Sequence, residues 1–64
     1  MTKRIFCVKE LKLGGVTRVS KYYPTWLGCK RERNRIHRDF PFWAHIVSDL
    51  FVDEETAKKL LREK

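Results

Sequence analysis

The glycine pair Gly14-Gly15, set between the runs RIFCVKELKL and VTRVSKYY, constrains this chain more than any other feature. Both runs mix charges with β-branched and aromatic residues. Both turn positions of a type I′ loop need φ > 0, which glycine takes without strain, so the pair predicts a β-hairpin. In that register Leu13 faces Val16, Cys7 faces Tyr22 and Phe6 faces Tyr23. Phe6, Val8, Val19 and Tyr23 then share one face. Ile5, Cys7, Leu11, Leu13, Val16 and Tyr22 share the other. Both faces are partly apolar, so the alternation does not say which is wet. A lone hairpin is barely stable in water, and a helix must cover one side.

Pro24 ends the second strand, because it cannot donate to a ladder. Thr25 is placed to cap a helix starting at Trp26, or at the latest after Gly28. On that helix Trp26, Cys29, Ile36 and Phe40 form one stripe, and Arg31, Arg35 and Arg38 lie opposite. The residue before a proline avoids the α region, so Phe40-Pro41 predicts a break. Beyond it Trp43, Ile46, Val47, Leu50 and Phe51 recur at helical spacing, with His45, Ser48 and Asp49 opposite. A strand through His45–Val52 is the alternative. Asp53 is a good N-cap for a last helix, with Glu54 and Glu55 at its positive end and Lys58, Lys59, Arg62 and Lys64 toward its negative end. Val52 and Ala57 occupy the positions of a hydrophobic staple.

The expected fold is α+β: a single small domain, residues 1–64, in which an N-terminal two-stranded antiparallel hairpin packs against two or three short helices. A chain this short buries only about 60% of the surface its unfolded form exposes, so nearly every large apolar residue is wanted inside. The expected core is Phe6, Val8, Val19, Tyr23, Ile36, Trp43, Ile46, Val47, Leu50, Leu60 and Leu61.

Charge narrows the function. The net charge is +7, and it belongs to the first 39 residues. Lys30–Asp39 alone holds five cations against Glu32 and Asp39. Such a field attracts polyanions and acidic protein surfaces alike. No apolar run approaches the ~20 residues needed to span a bilayer, so no membrane role is expected. The N-terminus lacks an uninterrupted apolar stretch of the kind a secretion signal carries. Cys7 and Cys29 are too few for a disulfide framework. These features together predict a cytoplasmic protein with free thiols.

Two binding classes remain. Guanidinium forks match phosphate geometry, so Lys30, Arg31, Arg33, Arg35 and Arg38, with Arg18 and Lys21 from the hairpin, are the expected contacts for DNA or RNA. Tyr22, Trp26 and Trp43 would offer faces on which bases stack. The other class is docking on an acidic surface of a host protein as an inhibitor or adaptor. There Phe40, Phe42, Trp43 and His45 rimmed by arginines would be the anchor. Cys7, Cys29, His37 and His45 lack the close pair spacing of zinc sites, so no metal and no cofactor are expected, and the histidines are placed at the surface. His37 has no second base or carboxylate pair beside it, so no catalytic residues and no enzyme are expected.

Val47–Leu61 can be laid on a helix-turn-helix, but Phe51 stands where the tight-turn glycine belongs, and Asp53, Glu54 and Glu55 would repel a phosphate backbone. FVDEETAKKLL, with the hairpin before it, resembles the ends of small phage-encoded accessory proteins, where a short strand bearing Phe leads into a capped helix. The resemblance covers Leu50–Leu61 plus the hairpin. It implies a viral accessory role and carries no functional residues across.

Overall fold

A computed structural model describes residues 2–62. Their elements in chain order are β1 (Thr2–Lys12), β2 (Gly15–Arg18), α1 (Trp26–Asp39), β3 (Ala44–Asp53) and α2 (Glu54–Leu61). The fold is α+β, with one antiparallel sheet in the order β2-β1-β3 and two helices packed on it.

The hairpin forms, with a shifted turn. Leu11 pairs with Val16 and Lys12 with Gly15, so Leu13 and Gly14 make the turn. Gly15 opens β2 at φ 131, a conformation L side chains rarely adopt. Phe6 still bridges Tyr23, through paired backbone bonds of 2.9 and 2.7 Å. Between these fixed points Cys7 and Val8 face a longer segment, Val19 to Tyr22, which bulges outward. Ser20 folds into the bulge, its hydroxyl accepting from Val8 N–H at 2.8 Å, so the central strand keeps its bonds. Cys7 is therefore opposite Ser48 of β3 and not Tyr22.

Thr25 caps α1, accepting from Gly28 N–H, and the helix ends at Phe40 with φ −130 and ψ 69, outside the α region that a following proline disfavours. Asp53 caps α2 through Thr56 N–H at 2.7 Å. The Thr56 side chain first, and that backbone bond after it, hold the Asp53 carboxyl below the usual carboxylate range.

The segment whose spacing suits a helix, with a strand as the alternative, is the strand β3. It pairs with β1 along its whole length, from Thr2 opposite Asp53 to Leu11 opposite Ala44. Ile46, Val47 and Val52 are β-branched, Phe51 is aromatic, and all four suit a pleated surface. β1 explains why the strand wins. Ile5, Phe6, Cys7 and Val8 are consecutive and buried, so both faces of β1 are covered, as in a central strand. Such a strand needs a neighbour on each side to satisfy its backbone. With a strand at Val47–Val52 there is no helix-turn-helix.

The main core lies between α1 and one sheet face. It comprises Phe6, Val8, Cys29 and Ile36, with Val19, Tyr23 and Val47 packed around it. Ile5 and Cys7 point to the other face and are buried where α2, with buried Ala57, returns against β1 and β3. Three expected core residues stand at the surface: Trp43 is 38% exposed, Ile46 and Leu50 each 42%. All three were placed by the helical period, which a strand does not follow. Both cysteines are buried free thiols. Among the described residues no helix is long and apolar enough to cross a membrane.

Candidate nucleic-acid interface

The arginines of α1 are not equivalent. Arg35 is held by Glu32 and, at 3.5 Å, by Asp39, both on its own helix. Arg38 lies 4.0 Å from Asp39. Arg33 points toward the sheet, its Nε donating to the His45 carbonyl at 2.8 Å and Nη1 to Asn34 Oδ1 at 3.0 Å. The three outward arginines, Arg31, Arg35 and Arg38, therefore do not form one free cationic face. Only Arg31 stands exposed with no ion pair recorded among the described residues.

Glu32 organises this side of the helix. It binds Arg35 and accepts from the Tyr23 hydroxyl at 3.0 Å. The guanidinium lowers the Glu32 carboxyl, with the Tyr23 bond adding to it. Desolvation first, then the neighbouring carboxylate, pushes Tyr23 up to about 12. Tyr23, Arg35 and Glu32 thus line a neutralised groove of about 630 Å³ between the hairpin and α1. Lys12, paired with Glu10 at 3.0 Å, and Trp43 lie on its far side. Balanced internally, this groove offers a polyanion little.

Other cations lie beside aromatic rings. Lys30 Nζ is 4.7 Å from the Trp26 ring centroid, and Trp26 is 48% exposed. The Arg18 guanidinium lies 5.0 Å from the centre of the half-buried Tyr22 ring. Lys21 is 5.6 Å from Tyr23, and Lys12 5.8 Å from Trp43. Arg18, Lys21, Tyr22, Trp26, Lys30 and Arg31 follow one another from the end of β2, through the connection, into the first turns of α1. The sequence carries a signal for this stretch that the count of arginines hides: no acid occurs between Glu10 and Glu32. The first turn of α1 also lacks an acid, so the positive end of its dipole is uncompensated by charge.

A second polar cluster was not foreseen. His45, expected at the surface, is buried on β3 opposite Glu10. Its Nε2–H donates to Glu10 Oε2 at 3.0 Å, and its Nδ1 meets His37 Nδ1 at 2.9 Å, the rings at 73°. For neutral rings the carboxylate fixes the tautomers: His45 Nδ1 is bare and accepts from His37 Nδ1–H. Lys12 first, and His45 after it, hold the Glu10 carboxyl below its ordinary value. Every buried side-chain polar atom among the described residues has a partner, so the cluster secures α1 to the sheet. No three His, Cys, Asp or Glu side chains among the described residues are placed to hold a metal ion.

Comparison with protein-family models, curated proteins and solved structures returns no match to this chain.

Proposed function

We propose that the chain binds single-stranded nucleic acid without catalysis, through the segment from Arg18 to Arg31. The observation that carries this reading is the pairing of exposed cations with aromatic rings, Arg18 with Tyr22 and Lys30 with Trp26, in a stretch that contains no acid. Such surfaces hold a strand twice over: cations follow the phosphates, and bases stack on the rings at about 1–3 kcal/mol each. A cation already resting on a ring is positioned beside it, so phosphate and base are met together. Arg31 and the acid-free start of α1 extend the positive field.

Fluorescence anisotropy with labelled single-stranded DNA and RNA at several salt concentrations tests this reading. Four engaged cations, Arg18, Lys21, Lys30 and Arg31, give a slope of log K against log salt near about −3. Trp26→Ala and Lys30→Glu should each weaken binding by about tenfold or more. Arg35→Glu should change it little, because that guanidinium already serves Glu32 and Asp39. Affinity indifferent to salt, capture of an acidic protein with no affinity for either nucleic acid, or a larger loss at Arg35 than at Lys30 would overturn it.

A further inference from the structure

The outer edge of β3 has a property that the nucleic-acid reading does not use. Phe6 of β1 exchanges backbone bonds with Tyr23 on the β2 side, and Val8 there accepts from Val19 N–H and donates to the Ser20 hydroxyl. Residues alternate in direction along an antiparallel strand, so Ile5, Cys7 and Lys9 turn to β3. Their partners there are Leu50, Ser48 and Ile46. His45, Val47, Asp49 and Phe51 therefore aim their N–H and C=O groups away from the sheet. The His45 carbonyl is taken by Arg33. For Val47, Asp49 and Phe51 the sheet provides no further strand.

Edges of this kind are ordinarily blunted by lysine, proline or a bulge. β3 has none of these: it contains no Lys, Arg or Pro and pairs with β1 without interruption. Its two acids are occupied, Asp49 by Arg4 at 2.8 Å and Asp53 by the α2 cap. Ile46, Leu50 and the 63% exposed Phe51 stand on the same strand.

We infer that β3 is a self-association surface, on which β3 of a second copy pairs antiparallel to give a continuous six-stranded sheet. Charge selects the occupant. In a chain of net charge +7, this strand carries no Lys or Arg of its own, and the cation that reaches its edge, Arg33, is spent on the His45 carbonyl, so Ile46 to Leu50 meet their counterparts without opposing cations. A two-fold axis normal to the sheet pairs residues of like direction, and the side chains then choose the register. With Ser48 on the axis, Ile46 lies opposite Leu50 of the second copy and Leu50 opposite Ile46 of the second copy. Val47 and Asp49 of the second copy exchange backbone bonds. One step further places Asp49 against its own counterpart, a like-charge pair. One step back sets Ile46 against Ser48 of the second copy and loses the apolar pairs.

Sedimentation velocity from micromolar to millimolar concentration tests this, and it is independent of any nucleic acid. The expected result is a reversible monomer–dimer equilibrium. Ile46→Lys should weaken it by more than about tenfold, since the dimer would bury two cations against leucine. Val47→Pro removes an outward N–H and none from the β1 ladder, and should weaken it likewise while circular dichroism stays native. A Cys7→Ala, Ser48→Cys chain should form a disulfide-linked dimer under mild oxidation, with the intrachain partner at position 7 removed. A wild-type monomer throughout the range overturns the inference. So does a dimer that both edge variants leave intact, or failure of the position-48 cross-link.

Discussion

β1 and β3 lie side by side, are 11 and 10 residues long, and draw on the same apolar residue types, yet their fates diverge. In β1 four consecutive residues, Ile5 to Val8, are buried. In β3 the buried residue is a histidine, while Ile46, Leu50 and Phe51 meet solvent. Their apolar content does not separate them. Position does, because the central strand is covered on both faces and bonded on both sides, while the edge strand is fully served only toward β1. A strand's apolar content therefore measures what it is able to bury, and its place in the sheet decides what it does bury.

The strongest way to break this comparison is truncation on both strands. Ile5→Ala should cost about 3 kcal/mol by urea unfolding, whereas Ile46→Ala at low concentration should cost less than about 1 kcal/mol. Equal costs would mean that the centre and the edge are energetically alike. The histidine is the exception that sharpens it. His45→Ala removes the bond to Glu10 Oε2 and the partner of the His37 ring and should destabilise by about 2 kcal/mol. A neutral result would make β3 expendable at its buried residue too.

The smallest expected effect is one of pH, from the thiols on the two sides of β1. Burial, with Cys7 and Glu32 adding to it, pushes the Cys29 thiol up from 9.0 to about 11. Burial also raises Cys7. The folded state holds these protons more tightly than the unfolded chain does. Their contribution to stability is therefore full below pH 9 and lost as pH rises toward 11. Thermal melts should fall across that window, and a thiol reagent at neutral pH should label neither cysteine until the chain unfolds. Fast labelling of native protein would show that the centre of the sheet is open.

The local signals in the sequence proved sound where the chemistry is local. The Gly14-Gly15 pair places a hairpin turn to within one residue, Thr25 and Asp53 cap helices as their side chains predict, and Phe40-Pro41 ends α1. The candidate site was legible in part. Tyr22, Trp26, Arg18, Lys21 and Lys30 could be named from composition, but Arg33, Arg35 and Arg38 could not be set apart from them. Their engagement depends on Glu32, Asp39 and the His45 carbonyl, and only the first two are neighbours in sequence.

What the chain fixes by itself is everything decided within about four residues: turn, caps, break and charge. Tertiary structure decided the state of residues 44–53, whose apolar positions suit a helix as well as a strand. It also decided the burial of His45 and which arginines of α1 are engaged. The reason is common to all three. A short segment carries the side chains for several pairings, and the choice falls to the partner that is otherwise unsatisfied: here the open backbone of β1, the carboxylate of Glu10 and the acids of α1.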